Sequence, residues 1–295
     1  MSTIRGSFKA SINGVEVCRS DNIITTAGRL SLLRYLAGLT DFYAESIAIG
    51  VGSGAPTVDD KGLAIEVFRG NVDVTSIDFN DSEILFKATF PQGERYVIYE
   101  LGLFPDSVGD RSFILFGFTG DDDWTGDYIL ELLENRFGDS GILVNADDTG
   151  TIITNTEQLG LASTSLDDKF RLGFILHDDN CEEIVITFTD VNGNEIEATY
   201  DPPAFTEDES QYCIIDVDKR DFTGLTNDWS NIIKTEIEVV AKTAAETEII
   251  LDILKVIDSN IITGSEVIAK TLAPTPIEKK EEDSLDIEYT LRVPV

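Results

Sequence analysis

The chain has 295 residues, 42% of them apolar and 9% aromatic, enough for two globular units that each bury a core. It carries 22 Lys and Arg against 55 Asp and Glu, a formal net charge of −33. Such a surface repels phosphate backbones and anionic lipid, which excludes nucleic acid and membrane as partners, and no apolar run approaches the roughly 20 residues that span a bilayer. The acids are interleaved with apolar residues rather than gathered in a tail, so they predict a solvated exterior. Met1-Ser2-Thr3-Ile4-Arg5-Gly6 lacks the apolar stretch of a secretory signal, so synthesis in a cytoplasm and solubility are expected. Cys18, Cys181 and Cys213 are odd in number and lack metal-ligand spacing. They predict buried free thiols, with a Cys181–Cys213 pair across neighbouring strands as the alternative.

In chain order, Gly6 to Cys18 predicts a β-hairpin turning at Asn13-Gly14. A helix is predicted from about Thr26 to Ala37, capped by Thr25 or Thr26 and closed by Gly38, with Leu30, Leu33 and Ala37 at helical spacing. Residues 46–51 read as a buried strand, followed by the loop Gly52-Ser53-Gly54-Ala55-Pro56-Thr57. Strands are then predicted at 65–69, 72–79, 83–90, 95–103 and 112–118, the spacing of an all-β sandwich. The polar run from Thr119 to Asp127 marks a domain boundary. Residues 128–136 predict a short helix with Ile129, Leu132 and Leu133 on one side. Strands return at 170–176, 183–189, 194–200, 211–217, 232–242, 247–257, 266–272 and 284–293, with a hairpin turn at Asp190-Val191-Asn192-Gly193. A faint repeat at an offset of about 153 residues aligns Glu83-Ile84 with Glu236-Ile237, Leu101 with Leu254 and Leu115 with Ile268.

One constellation keeps a fixed order. Asn22-Ile23-Ile24-Thr25-Thr26-Ala27-Gly28-Arg29 opens the helix. Ile47-Ala48-Ile49-Gly50-Val51-Gly52-Ser53-Gly54-Ala55-Pro56-Thr57 follows, with Asp59 or Asp60, Leu63, Glu66 and Arg69 downstream. Tyr99-Glu100-Leu101-Gly102-Leu103-Phe104 closes it. This order resembles a group of tailed-bacteriophage structural proteins described as tail fibre, tail-collar or baseplate-associated. Their usual ending is matched by Ala269-Lys270-Thr271 and by Leu285-Asp286-Ile287-Glu288-Tyr289-Thr290-Leu291, about 150 residues later than usual. The likeness covers about residues 20–118 and 266–293.

What the resemblance implies, joined to the strand pattern, is a mainly β chain of two β-sandwich (jelly-roll-like) modules, the first with one packed N-terminal helix. The expected division is 1–125, a docking module, and 126–295, a second sandwich; alternatively the final strands 266–293 close the first. The implied role is a non-enzymatic virion structural protein, a tail or appendage component made in the host cytoplasm. Its expected partners are copies of itself and other phage structural proteins. A capsid decoration or head-fibre protein, and a carbohydrate-binding adhesin with a host surface glycan as partner, are the rival readings.

Chemistry-bearing residues are few. His177 is the sole histidine, and no Gly-x-Ser-x-Gly elbow accompanies it, so no catalytic residue is expected. No cofactor is expected either. The glycine-rich loop at 52–57 lacks the lysine of a phosphate cradle. Asp121, Asp122, Asp123 and Asp127 form a candidate calcium loop of hard oxygen ligands, with a solvated loop as the plainer reading. Trp124 and Trp229 are candidates for stacking on sugars. With so many carboxylates repelling one another, the melting temperature should rise with sodium chloride as the Debye length falls from about 10 Å at 0.1 M to about 3 Å at 1 M. A larger rise with micromolar calcium than with magnesium, reversed by chelator, would mark the Asp121 loop as a metal site; equal responses would leave it a solvated loop.

Overall fold

A computed structural model of the chain describes residues 4–41, 43–106, 113–120, 123–132, 134–161, 164–206, 210–224, 229–259 and 266–292. The protein is mainly β and forms two compact units, Met1–Asp110 with Ile261–Val295, and Arg111–Asn260. The first unit begins with β1 (Arg5–Ile12), β2 (Val15–Asp21), β3 (Ile23–Ile24) and α1 (Thr26–Leu36). It continues through β4 (Ser46–Gly50), β5 (Glu66–Asn71), β6 (Val74–Asp78), β7 (Glu83–Phe90) and β8 (Tyr96–Phe104). The second unit holds β9 (Phe113–Phe116), β10 (Trp124–Gly126), β11 (Ile129–Glu131), β12 (Gly141–Ala146), β13 (Thr151–Asn155) and β14 (Lys169–Leu176). After these come β15 (Cys181–Asp190), β16 (Glu195–Tyr200), β17 (Gln211–Asp218), β18 (Thr223–Gly224), β19 (Ile232–Ala241) and β20 (Thr247–Ile257). The chain then returns to the first unit with β21 (Ala269–Lys279) and β22 (Leu285–Arg292).

The first unit stacks two five-stranded sheets, ordered β2-β1-β22-β7-β6 and β3-β21-β8-β4-β5. The Asn13-Gly14 turn has φ of 50° and 81°, the left-handed pair that a two-residue hairpin needs, and it joins β1 to β2 as expected. In β22 the alternation Leu285, Ile287, Tyr289, Leu291 is buried throughout, and the Tyr289 ring lies 4.8 Å from Phe8 and 6.2 Å from Phe86. These residues are the centre of the first core, because β22 pairs with β1 on one side and β7 on the other. The closing strands therefore belong with the first unit. β9 and β10, both begun before residue 126, pair with β20 and β13 in the second. The unit boundaries accordingly differ from a division at 125/126.

The second unit pairs a sheet ordered β10-β13-β19-β15-β16-β18 with one ordered β11-β12-β20-β14-β17, with β9 beside β20. Its core is rich in rings: Phe170, Phe188, Phe222 and Trp229 lie within 6.0 Å of one another, centroid to centroid. The offset of the repeat noted in the sequence aligns β8 with β20, which lie in separate sheets. The helix expected at 128–136 is instead the edge strand β11 followed by turns, and Ile129 and Leu132 are exposed; Leu133 lies outside the described residues. A short apolar run beside Gly and Asp satisfies a helix pattern and an edge strand equally, and pairing with β12 decides it.

The topology generates a test by truncation. Residues 111–260 expressed alone should give a cooperative thermal transition and dispersed amide resonances. Residues 1–125 alone should not, since they lack the strand between β1 and β7. A folded 1–125 fragment would contradict the pairing of β22.

Candidate functional site

The motif residues of the first unit converge on one carboxylate. Glu100, on β8, is fully buried. Its Oε1 lies 2.7 Å from Lys270 Nζ on β21, and its Oε2 accepts hydrogen bonds from the backbone N–H of Ala64 (2.8 Å) and Ile65 (3.3 Å). Lys270, itself buried, also lies 3.2 Å from Asp60 Oδ2. The backbone N–H and hydroxyl of Thr57 donate to Asp60 as well. Burial pushes the Asp60 carboxyl up, but the bonds from Thr57 and Lys270 outweigh it and hold the group below the usual carboxylate range. Gly50 and Gly52 allow the approach, because a Cβ there would stand 3.0 and 2.7 Å from Glu100 Oε2. Arg69 makes a bidentate pair with Glu66 (2.8 and 2.7 Å) and lies 3.7 Å over the Phe104 ring. The glycine-rich loop is thus packed around the protein's own carboxylate, and that carboxylate would repel a phosphate.

This frame fixes the start of α1. Thr26 N–H donates to Val58 O in the framed loop at 2.7 Å, and Thr25 N–H to Ile268 O at 3.0 Å. Thr25 caps the helix, its Oγ1 accepting from Gly28 N–H at 2.9 Å and donating to Val267 O. A Cβ at Gly28 would stand 2.1 Å from Ile268 O, so only glycine lets the helix sit this close to the chain leading into β21. The buried positions of α1 are Gly28 and Ser31. Here the structure departs from the helical spacing of Leu30, Leu33 and Ala37: that stripe is not the packed one. Leu30, Leu33 and Leu36 are 50%, 61% and 72% exposed, and Leu39 beyond the helix is 74% exposed. At Gly28 the backbone of Ile268 leaves no room for a side chain, and this fixes which side of the helix faces inward.

Beside α1 opens a cleft of about 770 Å³, lined by Ile4, Ile23, Ile24, Leu32, Leu33 and Tyr43, with Arg5, Arg29, Asp21 and Asn22 at its polar margin. The helix contains two arginines and no acid, unlike the chain at large. Arg5 and Arg29 are exposed. An apolar face rimmed by exposed arginines has the composition of a protein-binding surface.

Other candidates from the sequence are placed elsewhere. Asp121 and Asp122 lie outside the described residues, while Asp123 and Asp127 are exposed. Among the described residues no three His, Cys, Asp or Glu side chains are grouped to hold a metal. Asp190 accepts from Asn192 N–H, Asn194 N–H and Asn194 Nδ2, which makes the run a hairpin turn. Trp124 and Trp229 are buried, so neither indole offers a face to a sugar. His177 is partly exposed, 3.5 Å from Glu134. The three cysteines are free and buried, and burial pushes the Cys181 thiol up to about 12 and Cys213 to about 11. No helix among the described residues is long and apolar enough to cross a membrane.

In the second unit the carboxylate of Asp252 is fully buried. Asp252 Oδ1 accepts from the N–H groups of Arg136 (2.8 Å) and Phe137 (3.0 Å), and its Oδ2 from the Tyr212 hydroxyl (2.8 Å). Desolvation nevertheless raises its carboxyl above the ordinary range, against the pull of those bonds and of Arg136. A folded-state value above the unfolded one means a cost at neutral pH that disappears as pH falls through the folded value. Asp252→Asn, which keeps the shape, should therefore match or exceed the wild type in melting temperature at neutral pH, and lose that advantage on acidification. A gap independent of pH would contradict the assignment. In the first unit, Lys270→Met leaves Glu100 buried without its cation and should cost about 3–5 kcal/mol. Adding Glu100→Gln should restore part of the loss in urea unfolding.

No protein family model matches the sequence, and no curated protein matches it. Among solved structures, a family 11 carbohydrate-binding module from Clostridium thermocellum is 12% identical with a TM-score of 0.36, over 51% of this chain and 98% of that one. An agarase is 13% identical with a TM-score of 0.37, over 50% of this chain and 24% of its own length, so the match spans about a quarter of that enzyme. The enzymatically active domain of tailspike protein 4 of bacteriophage CBA120 is 11% identical with a TM-score of 0.32, over 48% of this chain and 21% of that one.

Proposed function

We propose that the chain is a non-enzymatic structural protein of a tailed-phage virion, a tail or appendage component that docks through the α1 face of its first unit. One observation carries the docking role: a helix seated by Gly28 and Ser31 presents Leu30, Leu33 and Leu36 to solvent. Burying a leucine contributes about 1.5–3 kcal/mol, so a row of exposed leucines on a rigid helix marks a surface that gains by being covered. The phage assignment rests on the ordered motifs, now grouped around Glu100. A symmetric appendage repeats such an interface in every copy and multiplies a weak contact. The non-enzymatic role is part of the same reading.

The rival of a capsid decoration or head-fibre protein would use the same surface at another site. The adhesin alternative, with a host glycan as ligand, would have to rest on side chains other than the two buried tryptophans. The test is complementation of particles lacking the protein, with wild type or a Leu33→Asp/Leu36→Asp double variant, followed by immunogold microscopy. Wild-type label should fall on the tail or an appendage, and the variant, folded by circular dichroism, should be missing. Label on the capsid would favour the decoration protein. Glycan-array binding without incorporation would favour the adhesin, and depolymerisation of a polysaccharide would contradict the non-enzymatic role.

A further inference from the structure

The first unit also carries an exposed knob. The hairpin between β6 and β7 closes at the Asp78–Glu83 pair, and its turn presents Phe79, 86% exposed. Ile77 beside it is 57% exposed. Asp78 and Asp81 flank the ring, and the Asp78 carboxylate stiffens the turn by accepting from the N–H groups of Asn80 and Asp81. A large aromatic ring held on a short rigid turn is what an interface anchor looks like before it is covered.

We propose that the cleft beside α1 is the socket for this knob, supplied by a second copy of the chain; the inference rests on the docking role proposed for the α1 face. Two observations select this occupant. The first is charge: the socket margin carries Arg5 and Arg29 with only Asp21 opposing them, and the knob brings two carboxylates. In a chain of net charge −33, close approach of two copies is opposed everywhere except where arginines meet acids. The second is placement. Glu83 at the base of the knob pairs with Arg292, which pairs in turn with Arg5 at the socket. Knob and socket therefore lie at the same end of one sheet, two strand spacings or about 10 Å apart. Phe79 is exposed and does not line the cleft of its own chain, so the knob is free to fill a socket on another copy. The cleft volume falls in the range that accommodates a compact ligand, and a phenyl ring with its neighbours fits that range.

The test uses the full chain in sedimentation equilibrium at about 0.5 M sodium chloride, where long-range repulsion is screened. Wild type should self-associate as concentration rises. Phe79→Asp, which removes the knob, and Leu33→Asp, which spoils the socket, should each weaken association at least about 30-fold. Mixing the two variants should restore a one-to-one complex, since one retains a knob and the other a socket. Wild type that stays monomeric, or Phe79→Asp that associates as wild type does, would overturn the proposal. If Phe79→Asp still enters particles while the helix variant does not, α1 docks on a different protein: this inference falls and the proposed function stands.

Discussion

The buried pair of Glu100 and Lys270 is the interaction on which the first unit depends. It joins β8 to β21, two strands separated by more than 160 residues of chain, and its second oxygen holds the loop that receives the start of α1. A carboxylate in the interior is tolerable only when its charge is compensated, and here an ammonium stands against one oxygen while two amide N–H groups bond the other. The glycines at 50 and 52 follow from this, because the carboxylate fills the space their side chains would take. So does the interrupted chain. Lys270 has to come back to complete the pair after the second unit has been made, whatever the length of the insertion.

The same constraint explains the outward leucines. At Gly28 the helix is drawn so close to Ile268 that no side chain fits, its buried positions are Gly28 and Ser31, and the larger residues are left on the other side. In a protein whose surface is otherwise acidic, this leaves an apolar strip and arginines together. Under the proposed function, docking uses the place where that charge is interrupted. The second unit follows another plan, with Phe170, Phe188, Phe222 and Trp229 forming an aromatic core and Asp252 bonded under the 136–137 turn.

Much of the β framework was legible in the sequence because apolar patterning leaves a direct mark: the expected strand at 284–293 shows it as alternation and that at 247–257 as a nearly continuous apolar run. The Asn13-Gly14 turn was equally plain. β12 and β13 escaped because they are short, and the Gly150 turn between them, with φ of 81°, carries the chain from one sheet to the other instead of closing a hairpin. The motif order showed which residues belonged together, but its physical meaning, a lysine from one end of the chain against a glutamate from the middle, is a long-range contact with no local signature. The leucine spacing on α1 announced a helix correctly and said nothing about which side faces in. That is decided by the backbone of Ile268, which periodicity does not contain.

The central claim is that the Glu100–Lys270 frame holds the leucine face of α1 outward for a partner. Its most direct measurement is maleimide labelling of a Leu36→Cys chain, free and within the assembled particle, against a background of three buried native thiols. The account predicts labelling of the free chain at the rate of an unhindered thiol and strong protection on assembly. Slow labelling of the free chain, or equal labelling in both states, would contradict it.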